Sequence, residues 1–402
     1  MSIILAENHK EVAESERIGA HPDVFSSCLA GRIVYYMAQE AQTSGHLEKL
    51  RADINVQLLA KPFKEHESTS MIVNIGGQVT LPSTSIFKDI AKRALRDQLD
   101  SAGYDTIYDF PANNIELNTT GVTQQSPHLQ ITSSADKFAD SCVVYGHYLS
   151  EPYGINGIFP SLFYAQTIDG LIKSFSKNNK DILPDGKVHV VVKNQKGIAV
   201  IQSVYISLAH RGSFDGDWNR ELKAYLIQQL QSVGLYKDNL SINAGGNFNY
   251  YFLQADSGVS KAKDDVMITG GVHQLGTDRV WGKCLYKASS ITLPYAFSLS
   301  RSVAEVLGAS YASVGVFALY GQKKSQIILQ EIDPVFENKR GEINKMLEKM
   351  PCDPVAIRSI MKMPVSLETY QLWNDPGTFH DMSKPWKKRN EELNALMLNG
   401  LK

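Results

Sequence analysis

Cysteine is scarce: Cys28, Cys142, Cys284 and Cys352 are the four in 402 residues, far apart and without a CxxC pair. That spacing speaks against a disulfide framework and a structural zinc site, and a reducing compartment is the expectation. Charge of one sign is also lacking. With 41 Lys+Arg against 42 Asp+Glu the formal net charge is -1, which gives no reason to expect a nucleic-acid partner. Long apolar runs are missing too. The best candidate for a bilayer span, Ile291–Tyr320, is interrupted by Arg301 and Glu305. Ile3–Ala6 is too short for a secretory core. There is no tandem repeat and no low-complexity linker. A soluble, cytoplasmic protein with no membrane partner is expected. The 43% hydrophobic content suffices for a large core, and the length for two to four units.

What is present alternates between helical and strand patterns. Pro22 suits the first turn of a helix over Asp23–Ala41, with Val24, Phe25, Cys28, Leu29 and Tyr36 at helical spacing. Further helices are predicted over Ile86–Ala102 and near Arg220–Val233, each followed by a glycine stop. Val188–Val192 and Ile198–Leu208 read as a hairpin, as do Ala312–Tyr320 and Gln326–Glu331. Gly76-Gly77 inside Met71–Val79 predicts a bulge or a close backbone approach. Strand, strand, helix recurs, so the expected class is α+β, with helices on one face of mixed sheets.

Four stretches carry candidate chemistry. Ala20-His21-Pro22-Asp23 puts an imidazole and a carboxylate at a helix N-terminus, a place that favours anions. A basic, glycine-containing stretch holds Lys261, Lys263, Gly276, Arg279, Gly282, Lys283 and Lys287, which suits a polyphosphate. It is not a P-loop, because Cys284 stands where the hydroxyl residue belongs. Leu183-Pro184-Asp185-Gly186-Lys187 reads first as a turn before a strand. Gln125-Ser126-Pro127-His128 is a polar loop. His147, His189 and His210 carry no ligand spacing and read as structural or exposed.

In their order along the chain these stretches resemble the methionine adenosyltransferase (S-adenosylmethionine synthetase) family. The family's EGHPDK is similar to Gly19–Val24, its VGGE to Ile75–Gln78, and its KQSPDI to Gln124–Leu129. RPDAKSQV resembles Leu183–Val190. INPTGRF and GDCGLTGRK resemble Ile242–Phe248 and Ala255–Lys263, and GGGAFSGKDPSKVD resembles Gly276–Ser289. The closing FG…FPWE segment is similar to Gly377–Trp386.

The resemblance implies an enzyme in which methionine sulfur attacks C5′ of ATP and expels the triphosphate. It implies His21 at the leaving oxygen, Asp23 as a Mg2+ ligand, and Lys187, Lys263, Lys283 and Lys287 on the polyphosphate. Asp185 would contact the nucleoside, Lys261 would stand in for a neighbouring arginine, and Asp256, Gln125 and Gln78 would face the methionine. It further implies three similar domains of mixed sheet about a pseudo-threefold axis. These are 20–128 with 251–290, 1–19 with 151–250, and 129–150 with 291–402. A homodimer or dimer of dimers with shared active sites is implied as well.

Departures from the pattern fall on the amino-acid and metal sides. Val24 replaces a lysine, Gln78 a glutamate, Ala262 an arginine, and Ser289 the second magnesium carboxylate, for which Asp264 or Asp278 could substitute. Gln57 stands at the glutamate of the potassium site, which speaks against K+ activation. Three readings stay open from these residues: an active methionine adenosyltransferase, adenosyl transfer to a different acceptor, or a catalytically weak or inactive regulatory subunit.

Overall fold

The computed structural model describes residues 10–16, 20–60, 71–80, 84–104, 115–124, 137–195, 197–249, 252, 256, 258, 263–277, 279–375, 379, 384–388 and 390–401. Strand β1 (Lys10–Glu16) is followed by helix α1 (Pro22–Thr43), strands β2 (Ala52–Ala60) and β3 (Met71–Val79), and α2 (Thr84–Ala102). Next come β4 (Ile115–Gln124), β5 (Cys142–Leu149), α3 (Pro160–Ser176), β6 (Ile182–Gln195) and β7 (Ile198–His210). α4 (Asp217–Leu230), β8 (Leu240–Ile242), α5 (Asp264–Thr269), α6 (Ala288–Leu307), β9 (Tyr311–Ala318) and β10 (Gln326–Ile332) complete the sheets. Four short helices close the chain: α7 (Arg340–Leu347), α8 (Pro354–Ile360), α9 (Leu367–Trp373) and α10 (Glu391–Leu401).

Among the described residues the strands form three mixed or antiparallel sheets, ordered β1-β6-β7-β8, β2-β3-β4 and β10-β9-β5. In two of them an antiparallel pair is followed by a helix and a third strand parallel to its neighbour, β4 to β3 and β8 to β7. The third sheet differs, because β9 takes as neighbour the earlier strand β5, antiparallel to it. The chain is therefore α+β, with helices packed on the sheets.

Sequence periodicity explains the packing. β2 alternates buried and half-buried residues, so Ile54, Val56 and Leu58 face α1. α1 buries Val24, Phe25, Leu29, Ile33, Val34 and Met37, and α2 adds Phe87, Leu95 and Leu99 to the same core. α4 buries Leu222, Leu226 and Leu230 against β6 and β7, and the 3-10 turn that follows it, Gln231–Val233, ends at Gly234, whose φ is +97°. The apolar stretch from Ile291 is the buried helix α6 followed by β9, with Arg301 and Glu305 paired at 2.8 Å. Among the described residues no helix is long and apolar enough to cross a membrane.

One expectation is overturned. The run Leu183–Lys187 is not a turn but lies within β6, where the register with β7 shifts between Ile182 and Gly186. Tertiary contact overrides the local preference: a Cβ at Gly186 would stand 2.6 Å from the Ser207 carbonyl oxygen, so glycine is what lets the strands close.

Lys387 offers a test of how the core is built. It is 7% exposed, its ammonium lies 5.3 Å from the Phe297 ring centroid, and its carbonyl accepts from the Arg301 guanidinium. Burial, reinforced by Arg301, brings its pKa down to about 7. In the folded chain the proton leaves near pH 7, whereas in the unfolded chain it stays until about pH 10.4. Between those values the unfolded state binds more protons, so stability rises with pH. The Lys387→Met variant should be more stable than the parent at pH 6 by about 3 kcal/mol, after a discount for the aromatic face. That gap should close by pH 10.5 in paired denaturant titrations.

Candidate active site at the start of the first helix

Pro22 occupies the first turn of α1, and His21 caps it, with Nδ1 accepting from the Asp23 N–H at 3.4 Å. His21 and Asp23 are both buried. An aromatic cluster beneath holds this helix start in place. Tyr104 donates to the Ala20 carbonyl at 2.6 Å and packs with Phe25 and Phe252. Phe252 in turn donates its N–H to Asp185 Oδ2 at 2.6 Å and accepts from the Asp256 N–H at 2.9 Å. This chain of contacts delivers the Asp256 carboxylate to 3.9 Å from His21 Nε2. Ligand atoms of His21, Asp23 and Asp256 all lie within 4.8 Å of one another. A buried carboxylate, Asp23, beside a partly exposed one, Asp256, fits a hard cation such as Mg2+, which takes one or two carboxylates with substrate phosphates; the imidazole does not belong to that donor set.

Lys263 stands just before α5 and meets this group from the other side. Its Nζ is 3.1 Å from Asp23 Oδ2 and 3.7 Å from Glu14 Oε1. The second Glu14 oxygen is 2.5 Å from His189 Nε2. Lys187 lies two residues before His189 on β6, hence on the same face of the sheet. His189 is thus part of a chain of side-chain contacts rather than an isolated histidine. Glu14 carries no motif in the sequence, and its role emerges when β1 pairs with β6 in the register Glu14 to His189.

A second cluster is built by the glycine-containing loop. Asp264 anchors it: Oδ1 accepts from the Ser27 hydroxyl at 2.6 Å and Oδ2 from the Val280 N–H at 2.5 Å and the Trp281 N–H at 3.5 Å. Burial raises its pKa against the pull of those donors. Both carboxylate oxygens are engaged inside the protein, so Asp264 does not take the place of the missing metal carboxylate at Ser289. Gly282, at φ +81°, presses against β2; a Cβ there would come within 2.5 Å of the Ile54 carbonyl oxygen. The loop then pairs with the strand, Ile54 N–H donating to the Gly282 carbonyl and a bridge joining Asp53 to Lys283. On the opposite side, Gly77 approaches so closely that a Cβ would meet the Asp53 carbonyl oxygen at 1.9 Å. The close approach expected at Gly76-Gly77 is found.

Asp53 is the centre of this second cluster. Its Oδ1 is 2.8 Å from Arg279 Nη2 and its Oδ2 is 2.9 Å from Lys287 Nζ, which also lies 3.0 Å from Asp140. Burial alone would raise the Asp53 pKa, but Lys287 and then Arg279 outweigh it and hold the carboxyl below its usual value. Burial pulls Lys287 down, and the carboxylates of Asp53 and Asp140 more than reverse that. Lys283, buried, donates to the Arg279 carbonyl at 2.7 Å and to Ser289 Oγ at 3.4 Å. Gln78 is the β3 partner of Asp53 and is exposed.

The sequence-derived residues therefore fall into two groups. His21, Asp23, Asp256 and Lys263 meet at the start of α1, with Asp185 and Lys187 behind them on β6. Lys283, Lys287 and Ser289 gather around Asp53, which sequence reasoning missed. Gln125, Lys261 and Asp278 lie outside the described residues. Gly258, beside Asp256, donates to the Leu58 carbonyl. Leu58 is five residues along β2 from Asp53, about 16 Å in an extended strand.

No protein-family model matches this chain, and no curated protein matches it. Its fold is similar to a solved structure described as an unusual S-adenosylmethionine synthetase from Campylobacter jejuni, with a TM-score of 0.74. The match covers 96% of this chain and 99% of that one, at 16% sequence identity. At that identity the likeness is one of fold.

Proposed function

We propose that the protein is a transferase of the S-adenosylmethionine synthetase type, joining L-methionine to the adenosyl group of ATP. The observation that carries this proposal is the meeting of His21, Asp23, Asp256 and Lys263 at one helix N-terminus, in a fold similar to such a synthetase. In the reaction a sulfur lone pair of methionine forms a bond to C5′. The C5′–O5′ bond breaks, and its electron pair leaves with the triphosphate, which is then hydrolysed to pyrophosphate and phosphate. His21, whose Nδ1 accepts from the Asp23 N–H, carries its proton on Nε2 and donates a hydrogen bond from there to O5′. Lys187, Lys263, Lys283 and Lys287 stabilise charge on the leaving group, and the helix N-terminus adds its dipole. Asp185 and Lys261 are assigned to the nucleotide, and Gln125, Gln78 and Asp256 to the amino acid. Mg2+ held by Asp23 and Asp256 would neutralise part of the triphosphate charge.

We further infer that the site is completed by a second copy of the chain. The start of α1 in one protomer would face the Asp53 loop of its partner in a homodimer. Incubation with ATP, Mg2+ and L-methionine should yield S-adenosylmethionine, with specific activity falling on dilution. Intact ATP after prolonged incubation would refute the assignment.

Gln78 favours a second reading, transfer to a different acceptor, because a neutral amide forfeits the charge-assisted bond to an ammonium group. If methionine is the acceptor, Gln78→Glu should tighten its binding about five-fold, about 1 kcal/mol. Calorimetric titration with methionine reads this directly, and a weaker affinity points to another acceptor.

A further inference from the structure

The row Gln78–Asp53–Lys283 runs across adjacent strands, so the three side chains share one face. Asp53 thus stands between the position assigned to the acceptor's ammonium group and the cations assigned to the polyphosphate. One of those cations, Lys287, is held on its Oδ2 at 2.9 Å, and Arg279, not assigned so far, on its Oδ1 at 2.8 Å. A guanidinium and an ammonium around one carboxylate reproduce the contacts a phosphate group would make. The same carboxylate, while so engaged, cannot serve an incoming ammonium, since the surrounding cations repel it.

We propose that Asp53 is the acceptor-reading carboxylate of this protein, displaced by one strand from Gln78, and that polyphosphate binding frees it by taking Arg279 and Lys287. Arg279 thereby becomes a further polyphosphate contact. The proposal rests on the function proposed above and gives it an order: nucleotide first, then a cationic acceptor. The two ligands are thermodynamically coupled through one carboxylate, so each must strengthen the other's binding by the same factor.

The test is calorimetric titration of the full chain with inorganic tripolyphosphate and with L-methionine, each alone and in the presence of the other. In the parent protein tripolyphosphate should tighten methionine binding ten-fold or more. Asp53→Asn, which keeps the shape and one acceptor oxygen, should bind tripolyphosphate three- to ten-fold more tightly, because its competitor is gone. It should also lose the coupling to methionine. Asp53→Glu should retain the coupling, and Asp53→Asn combined with Gln78→Glu should recover methionine binding with no need for tripolyphosphate. Melting curves of each variant separate these effects from misfolding. A purely structural Asp53 predicts the opposite sign, weaker tripolyphosphate binding in Asp53→Asn, and that result, or no binding in either protein, overturns the proposal. S-adenosylmethionine formation is scored separately. Coupling without product would sink the proposed reaction and leave Asp53 in place; product without coupling would do the reverse.

Discussion

Replacing His21 with asparagine should reduce turnover on the order of 10²–10³-fold while the protein keeps its fold. Asparagine is among the best helix N-caps, so the start of α1 retains an acceptor for the Asp23 N–H, and the expected stability change is within about 0.5 kcal/mol. What is lost is the imidazole Nε2–H that donates to the leaving oxygen. The readout is steady-state kinetics beside a thermal melt of the same samples. The KM for ATP should move little, because the lysines that grip the phosphates are untouched, and the loss should appear in kcat. A variant within three-fold of the parent would remove His21 from the reaction.

The second large effect is on stability. Asp264→Ala deletes the acceptor for the Ser27 hydroxyl and for the Val280 and Trp281 N–H groups, all buried. Each donor stranded without water costs about 1–3 kcal/mol, so a loss of about 3 kcal/mol or more is expected by chemical denaturation. The loop bearing Arg279, Lys283 and Lys287 should loosen with it, and activity should fall in parallel. Asp264→Asn is the informative control: its oxygen can serve the two amides while its NH2 donates to Ser27. Burial raises the Asp264 pKa in the folded chain. Between the ordinary carboxylate pKa and the raised value the folded state binds more protons than the unfolded one, so stability falls as pH increases. The Asp264→Asn variant lacks that loss. The parent should therefore be favoured relative to the variant at low pH and lose ground as pH rises through the acid range. An alanine variant as stable as the parent would show that the loop is held elsewhere.

Local patterns in the chain made some of this visible in advance. Pro22 with its apolar helical stripe marks α1, and the paired glycines at Gly76-Gly77 mark a close approach that the Asp53 carbonyl confirms. His21 and Asp23 stand out because a cap and an acid at a helix start are a local signature. Asp53 and Glu14 do not, since each is one acid in a strand and draws its meaning from partners more than 150 positions away, Arg279 and Lys263 among them. His189 looked ordinary for the same reason. Pro184-Asp185-Gly186 misled, because turn chemistry is a local preference and the β6–β7 pairing overrode it. The helices after β10 carry short, irregular apolar patterns whose pairing is set by α6 and the Trp373–Trp386 contact, which periodicity does not reveal.

The measurement that bears most directly on the proposed reaction is a mass-spectrometric time course of purified protein with ATP, Mg2+ and L-methionine. S-adenosylmethionine, pyrophosphate and phosphate are quantified together. Adenosyl transfer at C5′ followed by triphosphate hydrolysis predicts the three products in equal amounts at every time point, with none of them formed by the His21→Asn variant at a comparable rate. Phosphate or pyrophosphate released from ATP without S-adenosylmethionine, in the presence of methionine, would contradict it.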